Sequence, residues 1–173
     1  SATTRIKEEV LTEMFPFLSR EYGNPSSLYS IGRKSKRAIE EARKRVSSLI
    51  NCKPEEIYFT SCGSESDNTA LKGIAYENQN KGKHIITSKI EHPAILHSCQ
   101  NLENKGFEVT YLDVDKDGFV NLGTLENSIR TGTILISIMF ANNESGTIEP
   151  IEEIAKIAHK NGIIFHTGAV QAC

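Results

Sequence analysis

The chain has 173 residues, 38% of them apolar and 24% charged, with 20 basic against 22 acidic side chains and a net charge of −2. These proportions belong to an ordinary globular domain, and they exclude a disordered chain, a fibrous repeat and the strong positive excess of a nucleic-acid-binding protein. No apolar run approaches the ~18–20 residues of a membrane span, and the N-terminus lacks the basic-then-apolar pattern of a secretory signal, so a soluble, cytoplasmic chain without a membrane partner is expected.

Taken in chain order, Ile6 to Phe15 predicts a short helix that stops at Pro16, and Gly23-Asn24-Pro25-Ser26-Ser27 breaks the chain into a loop. A long helix follows over Ser30 to Ile50, with Ile39, Ala42, Val46 and Leu49 recurring at three- and four-residue steps. Its other face carries Arg33, Lys34, Lys36, Arg37, Arg43, Lys44 and Arg45, offset by Glu40 and Glu41, and reads as a solvated face. Short apolar runs then alternate with helical patterns: strands at Glu56–Thr60, His84–Ser88, Phe107–Leu112, Thr133–Ala141 and Ile163–Thr167, and helices at Ser64–Gln79, Pro93–Asn104, Leu122–Arg130 and Ile151–His159. This alternation predicts one α/β unit, a largely parallel sheet with helices on both faces.

In such sheets ligands bind beyond the carboxyl ends of the strands. The segments there are Ser61 to Asn68, Lys89-Ile90-Glu91-His92, Asn142 to Gly146, and Gly168 to Gln171, all polar or glycine-bearing. In the first, Gly63 allows close approach of a ligand and Ser64 sits where an N-cap would be, so the unpaired amides of the helix start favour an anion, most naturally a phosphate. The alternative is a plain capping turn. Neither a Walker A lysine nor a G-x-G-x-x-G pattern is present. His92 leaves a strand immediately before Pro93, a position suited to ring stacking or proton transfer, and no zinc-type histidine spacing surrounds it. Asp113, Asp115, Asp117 and Gly118 imitate the first half of a calcium loop, but Thr124 occupies the twelfth position where a bidentate glutamate is required. The cysteines Cys52, Cys62, Cys99 and Cys173 form no C-x-x-C pair and read as reduced thiols; no metal site is expected.

Together, six ordered segments resemble the NifS/IscS-like cysteine desulfurases, enzymes of the class V aminotransferases that use pyridoxal 5'-phosphate. They are Ser1-Ala2-Thr3-Thr4, Gly23 to Ser27, Phe59-Thr60-Ser61 through Glu65 to Asn68, Ile85 to Ser88 with Glu91-His92, Ile134 to Ile138 with Asn142-Asn143-Glu144, and Phe165-His166-Thr167 with Ala169-Val170-Gln171. The resemblance implies the large cofactor-binding domain of the aspartate-aminotransferase (fold type I) architecture. Residues 1–173 would then be an incomplete large domain, with the small C-terminal domain absent. It implies that Gly63 and Ser64 hold the cofactor phosphate, that His92 stacks on the ring and assists proton transfers, and that Asn143 and Gln171 bond near its phenolic oxygen. It further implies conversion of L-cysteine to L-alanine, with sulfur passed as an enzyme persulfide to an acceptor or scaffold protein for iron–sulfur clusters or thiolation, by a homodimer. The alternatives are a selenocysteine lyase or aminotransferase on the same fold, and a non-catalytic remnant or interaction fragment.

Three departures from the family pattern stand out. Gly168 occupies the position of an aspartate that pairs with the ring nitrogen, and without that carboxylate the electron sink is expected to weaken. The lysine that binds the cofactor covalently and the persulfide cysteine lie in segments that follow Cys173 in the family, so the 173 residues alone are expected to be inactive. Lys7-Glu8 replace an Asp-Pro pair. If the family's strand order holds, Glu56–Thr60 lacks its neighbours and the sheet keeps open edges.

Overall fold

The computed structural model describes residues 4–170 and 172, in two compact units, one up to Phe59 and one from Thr60 onward. Where the alternating sequence pattern predicts one α/β unit, only the second of them is α/β.

The first unit holds α1 (Glu8–Ser19), α2 (Ser30–Leu49) and a 3-10 turn (Pro54–Glu56). Helix α1 does not stop at Pro16 but runs on to Ser19 with the proline inside it. Proline removes one backbone donor, and on a helix with no buried residue the carbonyl left without a partner can turn to water. The expected strand at Glu56–Thr60 is not formed. Its start is drawn into the 3-10 turn, and Ile57 continues in extended conformation with no sheet neighbour among the described residues. The Ile57 carbonyl accepts instead from the Arg43 guanidinium, which also lies 5.1 Å above the Phe59 ring. Arg43 therefore leaves the solvated face that its position in the basic run predicts. Gly32, in the first turn of α2, packs so closely on the preceding loop that an added Cβ would stand 2.1 Å from Ser27 Oγ and 2.3 Å from the Asn24 carbonyl.

The second unit contains α3 (Gly63–Asn78), β1 (His84–Ser88), α4 (Pro93–Glu103), β2 (Glu108–Leu112), α5 (Leu122–Ser128), β3 (Thr133–Ser137), α6 (Ile151–Lys160) and β4 (Ile164–His166). The four strands form one parallel sheet in the order β2-β1-β3-β4. Alternation along the strands sends Ile85 and Leu135 to one face, where Leu71 and Ala75 of α3 and Ile95, Cys99 and Leu102 of α4 cover them. Ile86 and Ile136 point to the other face, under Leu125 of α5 and Ile154 and Ala158 of α6. Helices thus lie on both faces, as the sequence predicts. The α3–β1 loop meets the turn before β3 at backbone distance: a Cβ on Gly82 would stand 2.1 Å from the Gly132 carbonyl oxygen.

Strand order places a switch point between β1 and β3. The chain leaves β1 to one side through α4, then returns through α5 to the other side, so connections diverge there and open a crevice at the carboxyl ends. Pairing between β3 and β4 continues past the strands proper: Ile138 N–H donates to the His166 carbonyl at 3.1 Å, and Phe140 N–H to that of Gly168 at 2.9 Å. This is what carries Gly168 to the crevice edge.

Candidate functional site

Helix α3 begins one residue earlier than expected. Cys62, not Ser64, is the N-cap, and Gly63 and Ser64 are the first helical residues. The Glu65 side chain explains the shift: its Oε2 accepts from both the amide and the hydroxyl of Ser61 at 2.6 Å, tying the incoming chain to the first turn. The first bond inside the helix runs from Ser66 N–H to the Cys62 carbonyl, which leaves the amides of Gly63, Ser64 and Glu65 without intrahelical acceptors. Their preference for an anion is felt at Cys62, whose exposed thiol is held below the ordinary range by the Glu65 amide first, then by the Ser61 hydroxyl and the Ser64 amide. Gly63 keeps the cup open; a Cβ there would touch Val170 Cγ2 at 3.4 Å.

Beyond β1, Glu91 is buried and ties two strands together. Its Oε1 accepts from Ser88 Oγ at 2.9 Å and from Met139 N–H at 2.8 Å. Burial raises its carboxyl to about 7, against the pull of those two donors. The next residue, His92, is exposed and caps α4: its Nδ1 accepts from Ala94 N–H at 3.1 Å, with Pro93 at the first helical position. In the neutral ring this bond leaves the proton on Nε2, facing away from the helix.

Of the two asparagines after β3, Asn142 is buried and structural. It donates to the Ile90 carbonyl at 3.0 Å and accepts from the amides of Glu144 and Ser145 at 2.8 and 2.9 Å. Asn143 is exposed, and with His92 it lines a cavity of about 510 Å³ bounded also by Lys89, Glu91, Gly118 and Ser145. The acidic stretch that imitates a calcium loop forms one wall. There Asp115 Oδ1 accepts from the amides of Asp117 and Phe119, both at 2.9 Å, and Asp113 pairs with Lys89 at 2.6 Å.

Gly63, Ser64 and Gly168 do not line that cavity. Near Gly168 stands Asp67, one turn into α3, whose Oδ1 lies 4.0 Å from where a Cβ on Gly168 would stand; burial raises its carboxyl, and His92 pulls it down. Beside Gly168, Thr167 Oγ1 is buried with no hydrogen-bond partner among the described residues. Gln171 lies outside those residues. Sequence reasoning passed over Asp67 and Glu91; the four-residue step from Gly63 to Asp67, which puts both on one helix face, is the signal that could have found the first.

The site's donor set suits a phosphorylated aromatic cofactor: free helix-terminal amides with a serine hydroxyl, an imidazole with a fixed tautomer, an orphaned hydroxyl and open space at Gly168. Among the described residues no cluster of His, Cys, Asp and Glu could hold a metal ion, and no helix is long and apolar enough to cross a membrane.

Comparison with known proteins identifies the family and the fold. The sequence profile of the Aminotransferase class-V family matches residues 1–173. The cysteine desulfurase IscS of Clostridium botulinum (strain Kyoto / Type A2) is 60% identical over 172 residues, which are 99% of this chain and 43% of the relative. The cysteine desulfurase IscS of Methanosarcina thermophila matches with the same identity and shares. Among solved structures, a NifS-like protein superposes with a TM-score of 0.95 at 42% identity, covering 99% of this chain and 48% of that one. SspA in complex with cysteine superposes with a TM-score of 0.91 at 40% identity, covering 96% and 48%. The chain therefore spans less than half the length of the relatives it matches.

Proposed function

The chain belongs to the aminotransferase class-V family, and we propose that it is the N-terminal part of the large cofactor domain of a cytoplasmic, homodimeric cysteine desulfurase. In this reading L-cysteine becomes L-alanine, and its sulfur passes as a persulfide to an acceptor or scaffold protein serving iron–sulfur clusters or thiolation. The observation that carries the reading is the 60% identity to cysteine desulfurases over 99% of this chain.

The roles proposed for the residues at the carboxyl edge rest on the resemblance, and the geometry of the described ones supports them. The amides of Gly63, Ser64 and Glu65 and the Ser64 hydroxyl hold the phosphate of pyridoxal phosphate at the positive end of α3. When bound, that cofactor supplies the electron sink for chemistry at the amino acid's carbons. His92, fixed by its bond from Ala94 N–H, presents Nε2 to the cavity, packs its ring against the cofactor and holds or moves a proton at that atom. Asn143, which lines the cavity with His92, would bond near the phenolic oxygen, a role that the resemblance gives also to Gln171. Glu91 maintains the crevice by holding β1 to the segment after β3. L-Cysteine enters the cavity between His92 and Asn143.

The test is product analysis with the full-length polypeptide that contains this segment, supplied with pyridoxal phosphate, L-cysteine and a thiol reductant. Alanine and sulfide are expected in equal amounts; alanine without sulfide, or neither, overturns the desulfurase reading. His92→Asn is the informative variant, because asparagine still caps a helix but has no imidazole. Turnover is expected to fall about 10²-fold or more with the fold retained, and unchanged turnover removes His92 from the chemistry.

A further inference from the structure

The pyridine nitrogen of pyridoxal phosphate is a base, and its strength as an electron sink depends on an acidic or basic side chain placed against it. A carboxylate beside the nitrogen keeps it protonated, because the opposite charge favours the cationic ring. Gly168 offers no such group. Its backbone is fixed by the bond from Phe140 N–H, and among the described residues the one neighbour within 4 Å of an added Cβ is the Asp67 carboxylate, at 4.0 Å.

Resting on the cofactor reading above, we propose that Asp67 is the carboxylate that faces the cofactor's ring nitrogen, filling from α3 the place that position 168 leaves to a glycine. Two further observations support it. Asp67 stands four residues after Gly63, on the same face of α3, so the helix that offers amides to the phosphate carries a carboxylate one turn along. The Asp67 side chain is half-buried, and the influences on it are burial, which raises its carboxyl, and the charge of His92, which lowers it, with no hydrogen bond from any described residue. A partly desolvated carboxylate without a donor is costly by itself, and a pyridinium N–H supplies that donor.

The experiment uses the full-length chain containing this segment, loaded with pyridoxal phosphate carrying ¹⁵N in the ring. The ring nitrogen is read by ¹⁵N NMR in the unchanged protein, Asp67→Asn, Gly168→Asp and the double variant. The unchanged protein is expected to give a pyridinium signal, Asp67→Asn a neutral pyridine signal, and the double variant a pyridinium signal again. Turnover is expected to fall about 10²-fold in Asp67→Asn and to recover in the double variant. Cofactor bound with the same ring signal in the unchanged protein and Asp67→Asn overturns the role of Asp67 and leaves the desulfurase reading standing. No cofactor bound by any variant overturns the reading of the site, and this proposal with it. A second measurement needs no substitution: the Asp67 carboxyl titration, followed by ¹³C NMR, is expected to move to lower pH when pyridoxal phosphate is added. No movement with cofactor bound overturns the proposal.

Discussion

The two units of this chain bury their apolar side chains very differently. From Thr60 onward, the sheet is covered on both faces, and Leu71, Ile85, Ile86, Leu102, Leu125, Leu135, Ile136 and Ile154 have no solvent exposure. Up to Phe59, α1 buries no residue and α2 buries only Gly32, Ser35 and Ser47, while Leu18, Leu28 and Leu49 are 74–91% exposed. Within that first unit a groove of about 1230 Å³ is lined by apolar side chains that include Met14, Phe17, Ile39 and Phe59. Its ion pairs, such as Lys34–Glu21 at 2.9 Å and Arg45–Glu41 at 3.2 Å, are solvent-facing and contribute little. Both regions have amphipathic patterns, yet pattern becomes stability only where a second layer covers it. The α/β unit brings that layer in its own sequence, strand by strand, and the helical unit does not.

Deleting core volume is the strongest way to break this contrast. Leu135→Ala is expected to cost about 2–5 kcal/mol in urea unfolding, and Leu18→Ala less than about 0.5 kcal/mol. A Leu18→Ala cost equal to that of Leu135→Ala would mean that the exposed helical face is covered in solution.

A pH series sharpens the description of the α/β interior. Glu91 is raised to about 7, so its contribution to stability is complete below its unfolded value and is lost as pH rises through 7. His166 is lowered by burial to about 4, so its contribution is complete above its unfolded value and is lost as pH falls through 4. Between roughly pH 4.5 and 6.5 the two slopes oppose each other. Glu91→Gln removes one of them, and stability is then expected to rise with pH across that window by up to about 1.4 kcal/mol per unit. Parallel profiles for the two proteins would show that Glu91 titrates as it does in the unfolded chain.

The smallest effect concerns the edge of the sheet against its centre. Cys62 is exposed, with its thiol lowered, whereas Cys99 is buried, with its thiol raised to about 12. Iodoacetamide at neutral pH is expected to label Cys62 first and Cys99 only on unfolding, as read by peptide mass spectrometry. Equal labelling of the two would mean that the core around Cys99 opens readily.

The sequence by itself determined the α/β class, the parallel sheet with helices on both faces, and the polar segments that gather at its carboxyl edge. These depend on periodicity, glycine and capping residues, all of which act over a few neighbours in the chain. Other features required the tertiary structure. Pro16 stays inside a helix because that helix is solvated, and Ile57, with no strand partner among the described residues, gives its carbonyl to the Arg43 guanidinium instead. Arg43 leaves the solvated face because a carbonyl and a ring come within its reach, and His92 becomes a helix cap. The approach of Asp67 to Gly168 is of the same kind. It comes from a helix packed over β1 and β3 and from β4 extending its pairing to Phe140, and no local pattern in either segment specifies that the two will meet.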